Sequence, residues 1–164
     1  MVTPDRTARR QARLSMALDA ALFIALLATA IALGAALAHV LALPNKIGLP
    51  GDEYLIAQKA YRGWNQLAYV LLIQLIAMLA AVVMSRHEPD VRVPALFAIL
   101  SLAIAQALFW VFTYPANTAT LNWTMLPENW ENLRWEWEYS HAAGAAFQFL
   151  AMICLSVAAL ARGR

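Results

Sequence analysis

The sequence predicts an all-α membrane protein, an antiparallel bundle of four transmembrane helices that forms a single domain over residues 1–164. Its composition is 62% hydrophobic and 13% charged, with a mean hydropathy of +0.58, which is far from the balance of water-soluble domains. Four apolar stretches reach the roughly 20 residues that a helix needs to cross the hydrocarbon core. Basic residues gather at the termini and in one short turn, and this distribution predicts a topology.

The four predicted spans cover residues 16–43, 64–84, 93–114 and 141–161. A basic segment, residues 1–15, precedes the first span. Between the second and third spans, Pro89 lies in a short polar turn and Pro94 opens the next helix. A turn this short predicts antiparallel packing of the two helices that it joins.

Two longer loops, residues 44–63 and 115–140, are predicted on the opposite side and contain short helical parts. In the first loop, Pro44 and Pro50 break the chain, and Asp52 is placed to cap a short helix over 53–62. In the second, Pro127 occupies a typical first helical position, so the fourth helix should begin well before its apolar part. This extended start is Trp-rich and contains Trp130, Trp135 and Trp137.

The cations predict the orientation. Eight of the twelve Lys and Arg residues fall in the N-terminal segment, the short turn or the C-terminus. The positive-inside rule therefore predicts that both termini are cytoplasmic in a bacterial-type inner (plasma) membrane. The arginines act as topology signals, so the net charge of +2 is no evidence of nucleic-acid binding. The predicted partner is the lipid bilayer, with no nucleic acid.

Small residues and the single cysteine limit other possibilities. Cys154 lies in an apolar span, so no intramolecular disulfide and no CxxC thiol relay can form. Ala30, Gly34 and Ala38 make a small-residue stripe on the first helix. We predict that this stripe packs within the bundle, with a homo-oligomer or a membrane-complex subunit as the alternative.

A polar stripe at the start of the fourth span is where chemistry is predicted. Arg134, Glu138 and His141 share one helical face, and ionisable groups at this depth are costly unless they are paired or used. His39 lies at a similar depth near the end of the first helix, which neighbours the fourth in many bundles. We predict that His39, His141 and Glu138 converge in one pocket. These three residues and Arg134 are the catalytic candidates. The alternative is a pair of interfacial histidines bonded to backbone or water.

The same residues raise the question of a metal. Glu138 and His141 form an ExxH pair, and His39 would add a third ligand, so a metal ion held by all three is one hypothesis. A di-iron site is excluded because Asp19 is the sole acid inside a predicted span, and it lies at the opposite end. No cofactor is required by the pattern, although a metal ion or a b-type haem remains an alternative.

Several of these residues also form a pattern seen in a known family. The residues Asn117 and Asn122, followed by Leu133-Arg134, Trp137-Glu138 and His141, resemble the anthrone oxygenase-like family of small four-helix membrane proteins. The resemblance implies a four-helix bundle. For the fungal members it also implies oxidation of an anthrone to an anthraquinone by dioxygen, without an evident organic cofactor.

A mechanism compatible with that resemblance needs few parts. A base removes an acidic C–H proton from a flat apolar anthrone-, phenol- or quinone-like substrate, and the resulting enolate reacts with dioxygen. Either Glu138 or His141 would be the base, and an oxyanion would be stabilised by Arg134, Asn117 or Asn122. The aromatic rings of Trp137 and Tyr54 would enclose the substrate. Arg62 would contribute to binding from a lid over the bundle mouth.

Two other classes of function remain open at this stage. His39 and His141 could be axial ligands of a haem or bind a metal, which would make the chain an electron-transfer protein. Alternatively, the chain could be a noncatalytic membrane subunit that docks a partner through its Trp-rich outer face. In that case Arg134 and Glu138 would simply form an i, i+4 salt bridge.

Overall fold

The computed structural model describes residues 6–163, and within this range the chain contains helices and no strands. Six α-helices follow in order: α1 (Arg6–Lys46), α2 (Gly51–Gln58), α3 (Leu67–Met84), α4 (Pro89–Leu108), α5 (Tyr114–Ala119) and α6 (Trp130–Arg162). Short 3₁₀ turns at Lys59–Tyr61 and Trp64–Gln66 lead into α3, and a π-helical segment at Phe109–Thr113 joins α4 to α5.

Four continuous helices in the described part are long and apolar enough to cross a membrane: Arg6–Lys46, Trp64–Met84, Pro89–Ala119 and Trp130–Arg162. The helix α1 packs against α3 and α6, and α4 packs against α6 and α3, so the four spans close into a ring. Exposed Leu, Ile and Phe side chains cover its outside, as expected for a surface in contact with lipid. The prediction of an all-α membrane bundle is confirmed.

The two ends of the bundle differ. The arginine-rich end contains the start of α1, the turn between α3 and α4, and the end of α6. The loop end contains residues 47–66, which we call the loop segment, together with α5 and the start of α6. Small side chains such as Ala25, Ala98 and Ala151 are fully buried in the middle of the bundle and let the helix backbones approach closely.

Several helix ends differ from the prediction. The helix α1 continues through Pro44 to Lys46, because a proline two residues before a helix end removes only one late hydrogen bond. Next, α2 begins at Gly51 with Pro50 at its N-cap, so Asp52 lies inside the first turn and does not cap it. It ends at Gln58, where a 3₁₀ turn takes over.

The third span is longer than predicted at both ends. It starts at Pro89, which suits the first helical turn because its missing N–H has no partner there in any case. After α4 it continues through the π-helical segment and then α5, and it ends at Ala119, five residues beyond the predicted end at Tyr114. Only residues 120–129 are left as a loop before Trp130, so α6 also starts later than Pro127.

The small-residue stripe faces outward. Ala30, Gly34 and Ala38 are all exposed, and a Cβ added at Gly34 would meet no atom within 4 Å. The predicted packing of this stripe inside the bundle is therefore wrong. The helix α1 instead uses a different face, which carries Leu18, Leu22 and Ala25, to contact its neighbours.

Candidate functional site

A cavity of about 990 Å³ opens between the spans at the loop end. Its walls come from α1, the loop segment, α3, the stretch from α4 to α5, and α6. Aromatic side chains and alanines supply much of its lining, and polar side chains contribute a comparable number of residues. Six of the predicted site residues line this cavity: His39, Arg62, Asn117, Asn122, Trp137 and His141.

The two histidines meet in this cavity. The rings of His39 and His141 stack with centroids 4.3 Å apart and an interplanar angle of 29°. One imidazole comes from the last turns of α1 and the other from α6, at matching depth. The predicted approach of His39 and His141 is confirmed.

Local hydrogen bonds assign a role to each ring nitrogen of His141. Its Nδ1 lies 2.7 Å from the carbonyl oxygen of Trp137, and a carbonyl only accepts, so Nδ1 is the donor. In the neutral ring, Nε2 then carries the lone pair and can accept a proton. The Nδ1 of His39 is buried and has no hydrogen-bond partner among the described residues.

Trp137 supports both imidazoles and is itself anchored. Its ring centroid lies 4.1 Å from that of His141 and 5.1 Å from that of His39. The indole Nε1 donates a 2.8 Å hydrogen bond to Oδ1 of Asn117, which lies on α5. Because Oδ1 is occupied in this way, the amide NH₂ of Asn117 keeps its two donors for other partners.

Glu138 does not line the cavity. It is 1% exposed, and its Oε1 receives a 2.9 Å salt bridge from Lys46 and a 2.9 Å hydrogen bond from the hydroxyl of Tyr54. Its Oε2 has no hydrogen-bond partner among the described residues. Glu138 therefore faces the loop segment, while His141, one turn further along α6, faces the cavity.

Lys46 is the main residue that the sequence reasoning missed. Its Nζ binds Glu138 and donates a 2.8 Å hydrogen bond to the hydroxyl of Tyr61, whose ring stacks on His39 at 4.2 Å. A signal was present, since Lys46 lies seven positions after His39 and so on the same helical face. The prediction ended the first helix before Pro44, so Lys46 was assigned to a loop and its helical alignment with His39 was not considered.

Tyr54 belongs to the loop segment, is fully buried and is not part of the cavity wall. Burial, together with the Glu138 carboxylate, raises the pKa of the Tyr54 phenol above its usual range, so it stays a neutral donor. Gln58 donates a hydrogen bond to the same hydroxyl. In this structure Tyr54 orders Glu138, and it is not placed to enclose a substrate.

Arg134 also lies outside the cavity. Its Nη1 donates a 2.7 Å hydrogen bond to the carbonyl of Leu49, and its guanidinium lies over the rings of Trp130 and Tyr54. The i, i+4 salt bridge between Arg134 and Glu138 is not formed, because Glu138 pairs with Lys46. Arg134 therefore fastens the loop segment to α6.

Most of the Trp-rich face turns inward. Trp123 and Trp137 are buried and Trp130 is half-buried, while Trp135 is exposed and stacks on Tyr139. Leu121, Asn122 and Trp123 all have positive φ angles, and this left-handed turn directs Trp123 onto the ring of Tyr54. The buried tryptophans therefore pack over the loop end of the cavity, which we call the roof of the site. They do not form a flat outer surface.

The residues fit a metal ion poorly. Among residues 6–163, no group of three or more His, Cys, Asp or Glu side chains is arranged to hold a metal ion. Glu138, one of the three predicted ligands, is held by Lys46 and Tyr54 on the side of α6 that faces the loop segment. A metal shared by imidazoles must also lie in the plane of each ring, and stacked rings do not meet this condition.

The same stacking disfavours a haem between the histidines. Axial ligands approach the iron from opposite faces of the macrocycle, so the two imidazoles must be separated by it. Here the rings of His39 and His141 are in direct contact at 4.3 Å. Neither the metal hypothesis nor the haem hypothesis matches this arrangement of donors.

Comparison with known proteins gave no match: no family model, no curated protein and no solved structure is similar to this chain. The chemistry of the site must therefore be inferred from its own residues. Three features are central: a proton acceptor on His141, free amide donors on Asn117, and aromatic walls around both.

Proposed function

We propose that the protein is a membrane-embedded oxidoreductase of the oxygenase type, which acts on a flat apolar anthrone-, phenol- or quinone-like substrate. The observation that carries the proposal is His141, whose Nδ1 donates to a backbone carbonyl while the ring lines an aromatic cavity. This arrangement leaves one basic nitrogen for the substrate. A base in a largely apolar slot is what proton abstraction from carbon requires.

The cavity suits such a substrate in size and lining. Its volume of about 990 Å³ is at the upper end of typical small-molecule sites. Trp64, Trp110 and Trp137 present aromatic surface to it, and flat rings pack favourably on such walls. Flat apolar molecules also partition into bilayers, which is a physical reason for an enzyme of this kind to be a membrane protein.

In the proposed reaction, Nε2 of His141 removes one proton from an acidic CH₂ group flanked by aryl rings. The enolate gives an electron pair to dioxygen, so that a C–O bond forms, and protonation yields a hydroperoxide. Loss of the second C–H proton then breaks the O–O bond and forms the new carbonyl. Overall CH₂ and O₂ become C=O and H₂O, with carbon oxidised and oxygen reduced.

Asn117 is the proposed partner for the enolate oxygen. Its Oδ1 accepts the indole N–H of Trp137, so the amide NH₂ can donate to a developing negative charge. Asn122 and Arg62 also line the cavity and are exposed, which suits contacts near its entrance. Glu138 and Arg134 become positioning residues, because both act through the loop segment and α6.

The resemblance of Asn117, Asn122, Arg134, Trp137, Glu138 and His141 to the anthrone oxygenase-like pattern supports the same proposal. That pattern includes two loop asparagines and a histidine that opens the last helix. These are also the positions that line the cavity of this chain. The buried arginine and glutamate account for the rest of the pattern through the contacts described above.

The direct test is oxygen consumption by purified protein with anthrone as substrate. His141→Gln should lower turnover by about 10²- to 10⁴-fold, because it removes the base. Arg62→Ala should cause a smaller loss that appears mainly in KM, since Arg62 is an exposed side chain at the cavity wall. Thermal melts of both variants serve as the folding control. Unchanged turnover in folded His141→Gln protein would reject the catalytic role and favour a noncatalytic subunit.

We also propose that the arginine-rich end faces the cytoplasm of a bacterial-type inner membrane, so that the cavity lies at the outer side. The support is the distribution of cations between the two ends. Asn129, an exposed residue in the loop before α6, is a suitable reporter. In a Cys154→Ser background, Asn129→Cys should react with an impermeant thiol reagent in intact cells. Reaction only after the membrane is permeabilised would reverse the orientation.

A further inference from the structure

The floor of the cavity carries a buried amide that the proposed chemistry does not use. Gln148 lies seven positions after His141 on α6, which is two helical turns or about 10 Å along the axis. Its side chain lines the cavity, although the residue is only 5% exposed. A polar group this deep in a membrane protein is costly unless it is bonded or used.

Neighbouring spans hold this amide in one orientation. Gln74 of α3 is fully buried, and its Nε2 donates to Oε1 of Gln148 at 2.9 Å and to Oγ1 of Thr29 at 2.9 Å. The NH₂ of Gln148 itself reaches only Oε1 of Gln74, at 3.5 Å, which is the limit of a hydrogen bond. An amide has two N–H donors, so Gln148 keeps donor capacity at the cavity floor.

The path from His141 to Gln148 is clear. Gly144 lies between them on the same face of α6, and a Cβ added there would meet no atom within 4 Å. Opposite walls are formed by small side chains, including Ala32, Ala35 and Ala36 of α1. The cavity is therefore a slot that runs along α6, with a base near its mouth and a hydrogen-bond donor at its floor.

We propose that Gln148 is a specificity-determining residue, and that the slot takes an elongated fused-ring molecule with a phenol or carbonyl oxygen at its inner end. This inference rests on the proposed function, because it assumes that the reacting carbon lies next to His141. The inner oxygen accepts a hydrogen bond from the Gln148 amide. A shorter ring system fills the mouth and leaves that donor unused.

A purely structural role for the glutamines makes a different prediction. Polar side chains that bond across membrane helices contribute to stability, and in that role Gln74 and Gln148 should be equivalent. If Gln148 binds a ligand, substitutions of Gln148 and Gln74 should have different effects on ligand affinity. Gln148 faces the cavity, whereas Gln74 does not line it and only supports its neighbour.

The experiment measures binding rather than turnover. Anthraquinone and 2-hydroxyanthraquinone are titrated into detergent-solubilised full-length protein, with quenching of tryptophan fluorescence as the readout. Wild-type protein should bind the hydroxylated ligand about 2- to 10-fold more tightly, the range of one net hydrogen bond. Gln148→Leu should abolish that preference and leave the affinity for anthraquinone within about 2-fold. Gln74→Leu should lower thermal stability and retain part of the preference.

A second variant keeps the test decisive if Gln148→Leu does not fold. Gly144→Leu projects a side chain into the open slot between the histidine and the floor, and should weaken the hydroxylated ligand by at least about 10-fold. Gly34→Leu is the matched control, since Gly34 is also helical and equally open but lies outside the cavity lining. It should leave both affinities unchanged.

Each result discriminates between the two proposals. If anthraquinone binds but the hydroxyl adds nothing in wild-type protein, the role of Gln148 is wrong and the proposed function stands. The role is also wrong if Gly144→Leu and Gly34→Leu behave alike. If neither ligand binds wild-type protein, the substrate class fails and both proposals fall.

Discussion

The two ends of the bundle use ion pairs in opposite ways. At the arginine-rich end, Arg162 bonds Asp19 at 3.1 Å and Glu88 at 3.5 Å, and the Asp19 side chain is 56% exposed. At the loop end, Lys46 bonds Glu138 at 2.9 Å with side chains that are 7% and 0% exposed. The exposed pairs are screened by water and salt, while the buried pair depends on its partners alone.

The ends also differ in how they are filled. Leu18, Leu22 and Ala158 close the arginine-rich half with buried apolar contacts. The loop half contains the cavity and a network of hydrogen bonds that links α1, the loop segment and α6. The arginine-rich end is thus a packed apolar core. The loop end is less densely packed, and its hydrogen bonds order the side chains around the cavity.

The largest effect should come from breaking the buried ion pair. Glu138→Gln leaves the Lys46 ammonium buried without its counter-charge, which should lower the free energy of unfolding by about 3–5 kcal/mol. Asp19→Asn removes an exposed pair and should cost at most about 1 kcal/mol. Unfolding of both variants in detergent measures the difference. Equal losses would mean that the two ends do not differ as described.

A smaller difference should appear between core and cavity. Met78 is fully buried among the spans, and Met78→Ala should cost about 2–5 kcal/mol because it creates a new void. Leu71, on the same helix, borders the existing cavity, so Leu71→Ala should cost clearly less. Thermal melts under identical detergent conditions compare them. A larger loss for Leu71→Ala would indicate that the cavity is closed by packing.

The smallest effect concerns alkaline pH. Because the pKa of Tyr54 is raised in the folded protein, its phenol stays neutral, while in the unfolded chain it ionises near pH 10. The contribution of Tyr54 to the free energy of unfolding is therefore complete below about pH 10. Above that pH it declines by up to about 1.4 kcal/mol per pH unit. Tyr54→Phe should flatten the fall in stability above about pH 10. Tyr69→Phe, at an exposed tyrosine, should not.

The sequence predicted the features that depend on apolar span length and on depth in the bilayer. Long apolar runs predicted the spans, and the equal depth of His39 and His141 predicted their contact. Both inferences use the thickness of the bilayer and the rise of a helix, which change little with context. The contact of the two histidines also required the first and fourth helices to be neighbours, as they are in many four-helix bundles.

The sequence did not predict the division of roles on α6. Glu138 and His141 are three positions apart, about 60° around the helix, and this angle separates a residue that faces the loop segment from one that faces the cavity. Likewise, nothing in the pattern of an apolar span marks Gln74 and Gln148 as partners, because their pairing depends on the rotation of two helices. Such details depend on tertiary packing.

The bonds from α6 to the loop segment bear on how a substrate reaches the site. Arg134 holds the carbonyl of Leu49 and Glu138 holds Tyr54, so opening the roof would break both contacts. On the side of the bundle, Ala68 of α3 and Trp110 of the π-helical segment that follows α4 border the cavity. The contact between α3 and α4 is the least extensive among neighbouring spans. We therefore expect substrates to arrive sideways from the lipid. Turnover should then follow the mole fraction of substrate in the bilayer, and diluting the membrane with inert lipid should slow the reaction at constant aqueous concentration of protein and substrate.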